Sequence, residues 1–231
     1  MGDYPVTAFS LSILEIIVMA IYWAASPDWR GETVFIVGGG TSVRQQNLEL
    51  LRGRRVIAVN SSYEAVPFAD YVFFGDSRWW KEHQSRPALQ PFRGRLVTVA
   101  KAARGPGLKR MLRVRPPPGL ATNPAHLASQ RTSIQGAMNL AVHKIGALLP
   151  GAIGGKIVLL GADMCRDENG VSHHHAAHPW KNKPGNKTWE VQQTQLCLIV
   201  DHLKKLRVEV INTSPISLLT WWPKATLEST L

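Results

Sequence analysis

The sequence predicts an α/β fold: a parallel sheet with helices covering both faces. Three observations lead there. Short, wholly apolar runs recur along the chain, longer stretches of helical spacing separate them, and small or polar residues stand where each run ends. Strands buried on both faces read as continuous apolar runs, and a parallel pair needs a crossover of helical length. With 231 residues, 45% of them apolar, the chain can bury a real core. A disordered tail, a collagen-like fibre and a disulfide scaffold are excluded.

The elements follow in order. Residues 34–37 (VFIV) are a strand ending in Gly38-Gly39-Gly40, and Thr41-Ser42 then open a helical stretch to about Leu51. Residues 56–59 (VIAV) are a second strand stopped by Asn60-Ser61-Ser62, and 71–74 (YVFF) a third, ending in Gly75-Asp76. Residues 96–99 (LVTV) are a weaker fourth, followed by a basic, Pro-rich connection at 113–119. A long helix is expected from Ser133 to about Leu149, then a strand at 157–160 (IVLL) closed by Gly161-Ala162-Asp163. Residues 189–206 are helical by spacing, and 208–211 (VEVI) form a last strand before Asn212-Thr213. Ligands of such sheets bind outside the carboxyl ends of the strands, where these small and polar groups collect.

Residues 8–25 (AFSLSILEIIVMAIYWAA) predict an apolar helix, stopped by Ser26-Pro27-Asp28. They form an extension (1–28) ahead of a single domain at 29–231. No Lys or Arg precedes the run, and Glu15 sits near its middle, where a charge in lipid costs roughly 3 kcal/mol. Its 18 residues lie at the lower limit for a span. A helix packed on the domain, or a face joining two copies in a homo-oligomer, is expected over a membrane anchor. Cys165 and Cys197 show no CxxC or zinc spacing, which fits a reducing, cytoplasmic setting, although two thiols could pair.

Charge is the strongest compositional signal. The chain carries 27 Lys and Arg against 16 Asp and Glu, a formal +11. No acidic residue occurs between Glu82 and Asp163, an interval holding twelve basic ones. Such a field attracts nucleic acid, anionic lipid or nucleotide phosphate, while the plain alternative is a merely basic soluble protein.

Several constellations could carry chemistry. Gly38–Ser42 matches neither G-x-G-x-x-G nor the P-loop, yet a glycine turn opening a helix lets phosphate approach backbone N–H groups; the alternative is a tight turn with Ser42 as helix cap. Asn60 could bond a base or ribose, or simply form a turn. Asp76 could take a ribose or acceptor hydroxyl, and Arg78, Trp79 and Trp80 an acceptor, unless the two Trp are a half-buried cluster. Thr132 and Ser133 suit an anion at a helix start, or act as caps. The loop Ser172-His173-His174-His175-Ala176-Ala177-His178-Pro179-Trp180 is the most unusual stretch. It suggests a general base, a metal site completed by Asp163, Asp167 or Glu168, or an exposed loop.

These pieces, in this order, resemble the sialyltransferase-like glycosyltransferases. The glycine turn, the strand ending in Asn60, TSIQGAMNLAV (132–142), KIVLLGADM (156–164), the histidine loop and VEVINTSPISLLTWWP (208–223) carry the resemblance, over about residues 29–228. Phage-encoded relatives look closest, through GDSRWW (75–80) and the histidine-and-proline loop. The resemblance implies a Rossmann-like domain. It implies donor contacts at Gly38, Gly39, Gly40, Thr41, Ser42, Asn60, Thr132, Ser133 and Asp163, and no required metal or cofactor. It also implies a loop base among His173, His174, His175 and His178, with His178 favoured because Pro179 follows it.

The expected function is nucleotide-sugar-dependent glycosyl transfer to an acceptor hydroxyl. A hydroxymethylated base in DNA is one acceptor, supported by Trp79, Trp80 or Trp180; a surface glycan or lipid-linked sugar is another. A non-catalytic nucleic-acid-binding phage protein that kept the fold is the reading from a different class.

Overall fold

The computed structural model describes residues 21–115, 119–176 and 186–231. The expected apolar helix at 8–25 lies outside the described residues up to position 20, and of residues 21–25 only Ile21 is helical, since the Trp23 and Ala25 N–H groups bond the Arg110 and Pro124 carbonyls instead. Among the described residues, no helix is long and apolar enough to cross a membrane.

The centre is a seven-stranded sheet whose neighbours all pair in parallel. Its strands are β1 (Thr33–Val37), β2 (Arg55–Val59), β3 (Tyr71–Phe74), β4 (Leu96–Thr98), β5 (Leu108–Arg110), β8 (Gly155–Leu160) and β9 (Val208–Asn212), in the order β5-β4-β3-β2-β1-β8-β9. A separate parallel pair joins β6 (Leu112–Val114) to β7 (His126–Ala128). The chain moves outward in one direction from β1 through β5, then returns to the other side of β1 with β8 and β9. The topological switch point thus falls between β1 and β8, giving the Rossmann-like arrangement.

Side chains alternate between two cores. Val34, Ile36, Ile57, Val59, Phe73, Ile157 and Leu159 meet helices α2 (Ser133–Lys144), α3 (Asn186–Cys197) and α4 (Val200–Lys205). Phe35, Val37, Val56, Ala58, Val72, Phe74, Val158 and Leu160 face the other way. There they meet one short helix, α1 (Ser77–His83), and a series of 3-10 turns through Val43, Leu51, Tyr63, Leu89 and Phe92. Both faces are covered, but one of them mostly by turns.

Four expected elements differ. The stretch 41–51 is two 3-10 turns, Thr41–Gln45 and Leu48–Leu51. Its apolar residues make no stripe, and tertiary bonds hold it out of a helix: Ser42 bonds Asp163, while the Gln46 amide exchanges bonds with Thr213. Helix α2 stops at Lys144, short of Leu149, because Gly146 takes φ +72. The Gly146 N–H then bonds the His143 carbonyl and the Ala147 N–H bonds that of Val142, a Schellman closure. The stretch 189–206 is two helices, and Thr194 Oγ1 bonds back to the Glu190 carbonyl at 2.9 Å just before the break. The basic connection contains β6 and follows the edge strand β5, whose Lys109 and Arg110 discourage further pairing.

Residues just ahead of β1 strap the sheet's amino end. The Trp29 N–H bonds the Lys144 carbonyl at 2.9 Å, and the buried Lys144 ammonium pairs with Asp28 and lies 5.0 Å from the Trp29 ring. His143 on α2 donates Nε2–H to the His126 carbonyl of β7 at 3.1 Å, and burial lowers its pKa to about 4. In the unfolded chain this imidazole binds a proton below its ordinary 6.5, which the folded one refuses down to about 4. Stability is therefore lost as pH falls through that window. Calorimetry from pH 7 to 4 should show a falling Tm with a shallower slope in H143Q, which keeps a donor for the carbonyl. An unchanged slope would show that His143 does not carry the effect.

Candidate functional site

A cleft of about 1270 Å³ opens at the carboxyl ends of β1, β2, β3 and β8. It is built on close packing at the switch point. Gly38 lies so near Gly161 that a Cβ would stand 2.7 Å from its carbonyl oxygen, and Gly161 itself takes φ +63. At Gly40 a Cβ would fall 2.3 Å from the Asp163 carboxyl carbon. The glycines thus serve contact between strand ends first.

Asp163 is buried, and both its oxygens are engaged. Oδ2 accepts the Ser42 N–H at 3.0 Å and Oδ1 the Ser42 hydroxyl at 2.6 Å. This overturns two expectations. Ser42 is no helix cap, since no α-helix starts there, and neither Thr41 nor Ser42 lines the cleft. The Gly38, Gly40 and Ser42 amides already bond Leu160, Gly161 and Asp163, so they cannot cradle a phosphate. Gly39, Gly40 and Asp163 do line the cleft. Asp163 acts there as a fastener, with both oxygens already holding donors from Ser42.

The histidine loop docks on this turn. The His174 N–H donates to the Gly39 carbonyl at 3.0 Å, and Arg44 Nη2 donates to the carbonyls of His173 and His174, each at 3.2 Å. Ser62 gives its single hydroxyl proton to the Gly38 carbonyl at 2.8 Å, so at 3.1 Å it accepts from His174 Nε2–H. Burial, reinforced by His175, His173 and Arg44, lowers the His174 pKa to about 4, and the ring is a neutral latch. His173 and His175 line the cleft with rings stacked at 5.0 Å. His175 Nδ1 donates to the Ala176 carbonyl at 2.9 Å, which makes Nε2 the ring's proton-accepting atom. That atom would lie 3.4 Å from a Cβ on Gly39. Burial lowers the His175 pKa, keeping the base form. His178 and Trp180 lie outside the described residues.

On the β2 and β3 side the cleft is lined by polar groups and by a helix start. Asn60 takes φ 53, a left-handed conformation that Asn tolerates, and its buried Oδ1 has no partner among the described residues. Asp76 caps α1 by accepting the Arg78 N–H at 2.8 Å and pairs with the Arg78 guanidinium at 2.7 Å. Thr132 caps α2, taking the Ile134 N–H at 3.2 Å, so Thr132 and Ser133 present a helix start to the cleft.

Arg113 is the residue the sequence did not single out. It donates Nη2–H to the Gly75 carbonyl, its Nε is buried without a partner, and burial lowers its pKa, helped by Arg115. Lys101, Arg115, Arg131 and Lys187 line the same cleft. The acid-free interval was the signal for Lys101, Arg113, Arg115 and Arg131, and Lys187 lies outside it.

The expected acceptor platform is corrected. Trp79 is 1% exposed, stacked on His83 at 4.4 Å and bonded through Nε1 to Ser61, so no ligand can stack on it. Trp80 stacks on Phe74 at 5.3 Å and bonds the Arg104 carbonyl. Asn212 and Thr213 bond Ser217 and the Leu159 carbonyl and stay out of the cleft. Cys165 and Cys197 are free thiols. Among the described residues no three His, Cys, Asp or Glu side chains are grouped to hold a metal ion. Asp167 instead accepts the N–H groups of Asn169 and Val171.

The packing separates two neighbouring glycines. Gly40→Ala meets the Asp163 carboxylate and should cost about 1–3 kcal/mol, lowering Tm by several degrees. Gly39→Ala meets only imidazole edges at 3.3 Å or more and should cost less than half as much. Thermal melts of both variants check this, and equal losses would refute the fastener role of Asp163. Comparison with protein-family models, curated proteins and solved structures finds no match for this chain.

Proposed function

We propose that the chain is a glycosyltransferase that takes its sugar from a nucleotide-linked donor. One observation carries this reading. A half-buried arginine that makes no ion pair among the described residues, Arg113, shares a cleft with an imidazole whose accepting nitrogen is fixed, His175. The first suits a leaving phosphate and the second a hydroxyl proton.

The donor's phosphates would rest on Arg113 and the start of α2 at Thr132 and Ser133, with Asn60 taking a donor hydrogen from the ribose or base. These contacts lie at the ends of β3 and β2, and His175 sits over the end of β1. Two strand spacings separate β3 from β1, about 10 Å, which is room for a phosphate group followed by a sugar ring. The acceptor oxygen attacks the anomeric carbon while the bond from that carbon to the phosphate oxygen breaks, its electron pair leaving with the nucleotide. The acceptor proton passes to His175 Nε2. Arg113 and the α2 N–H groups stabilise the charge that develops on the leaving phosphate. His174, Ser62 and Arg44 act only by holding the loop.

A panel of nucleotide sugars, incubated with candidate acceptors and followed by nucleotide release, tests the proposal. H175A should lower kcat about 10²- to 10⁴-fold while nucleotide affinity stays within threefold, and R113A should weaken nucleotide binding at least tenfold. The base must be neutral to work, and its pKa is lowered, so kcat/KM should hold down to a pH below the ordinary 6.5 and fall only beyond it. No nucleotide release from any donor, with no nucleotide binding by calorimetry, would remove the transferase reading.

A further inference from the structure

The cleft holds more positive charge, and more space, than a nucleotide sugar uses. Among the described residues Lys101, Arg113, Arg115, Arg131 and Lys187 line it without an ion pair, while its two carboxylates are occupied, Asp76 by Arg78 and Asp163 by Ser42. A donor with two phosphates brings about two negative charges, so roughly three cations remain to face whatever else enters. Small-ligand sites occupy about 300–1,000 Å³, and this cleft exceeds them at about 1270 Å³.

Apart from Arg113, the cations come from four separate elements: the turn after β4 (Lys101), the exit of β6 (Arg115), the approach to α2 (Arg131) and the first turn of α3 (Lys187). A single compact anion needs convergent groups, whereas a chain of anions is met by groups spaced along it. Two of the four, Arg115 and Arg131, are guanidinium forks, which match phosphate oxygens in pairs. The reacting hydroxyl must reach His175 at the floor beside Gly39, so a nucleic acid would have to be unpaired there. Trp189, the aromatic side chain lining the cleft among the described residues, is 7% exposed and offers no ring face for a base.

Resting on the transferase reading, we propose that the acceptor is a single-stranded nucleic-acid segment. It is held by its phosphates on Lys101, Arg115, Arg131 and Lys187 and presents a hydroxyl to His175. Recognition through the backbone, without base stacking, makes the binding sequence-tolerant.

Fluorescence anisotropy with labelled dT12 and dA12, and with a labelled carboxylate polymer of equal length, tests this across a salt series and without donor. The two oligonucleotides should bind within about threefold of each other and the polymer at least tenfold more weakly. Affinity should fall linearly with log salt, and R115A and R131A should each reduce the slope by about 0.7. Both residues are exposed, and unchanged thermal melts will confirm that the variants fold. No oligonucleotide binding at 50 mM salt, equal binding of the carboxylate polymer, or unchanged slopes would each overturn the proposal. Strand binding with no nucleotide release from any donor would remove the transferase reading and leave the strand site. Transfer to a neutral glycan without strand binding would do the reverse.

Discussion

The geometry of the cleft depends on one buried carboxylate. Asp163 leaves β8 and takes two hydrogen bonds from Ser42, which follows β1. A buried carboxylate without donors costs several kcal/mol, so these two bonds decide whether the switch point can close. Closure dictates the glycines: Gly40 leaves room for the carboxylate, and Gly38 and Gly161 let the strand ends touch. It also fixes the Gly38 and Gly39 carbonyls, and these hold Ser62 and the His174 N–H. The histidine loop is thus positioned through backbone acceptors that exist only while β1 and β8 stay pinned.

The same economy of acids leaves the cleft positive. Elsewhere on the surface carboxylates are spent on arginines: Glu32 on Arg55, Glu64 and Glu82 on Arg86, Glu49 on Arg52. At the carboxyl edge of the sheet the two acids lining the cleft are consumed locally, Asp76 by Arg78 and Asp163 by Ser42, and among the described residues Lys101, Arg113, Arg115 and Arg131 make no ion pair there. Half-buried and without an ion pair among the described residues, Arg113 has its charged form disfavoured by burial and by Arg115, an effect the Asp76 charge partly offsets. Departures of this kind from good local satisfaction concentrate at functional sites. The left-handed backbone of Asn60 and of Met164, at φ 53 and 57 on the cleft wall, belongs to the same pattern.

Much of this frame was legible in the sequence, for physical reasons. Strands buried on both faces have no polar face to blur them, so β1, β2, β3 and β8 read directly from VFIV, VIAV, YVFF and IVLL. Their exits also identified Gly39, Asn60 and Asp163 as cleft residues. What failed was whatever tertiary contact decides. Residues 41–51 have helical composition but lack an apolar stripe, and side-chain bonds to Asp163 and Thr213 hold them in 3-10 turns. Gly146 was a readable stop signal that the helical spacing beyond Lys144 obscured. Trp79 and Trp80 read alike as neighbours on a helix start, yet Trp79 is buried against His83 while Trp80 is half-buried, stacked on Phe74. Nothing local in Arg113-Val114-Arg115 shows that β6 swings Arg113 onto the Gly75 carbonyl.

The histidine loop shows how one short run can divide its labour. Three consecutive imidazoles have the same chemistry in the unfolded chain, and the fold separates them by what each ring nitrogen meets. Ser62 has already given its proton to Gly38, so it can only accept, and that fixes His174 as a donor through Nε2. The Ala176 carbonyl can only accept, and that fixes the proton of His175 on Nδ1. A metal site would need several lone pairs aimed at one point, and among the described residues no three His, Cys, Asp or Glu side chains are grouped to supply them. Proton transfer needs only one correctly presented nitrogen, held still against a rigid floor. In the proposed reaction the loop meets that lesser demand at His175, while His174 spends its Nε2–H and backbone N–H on holding the loop in place.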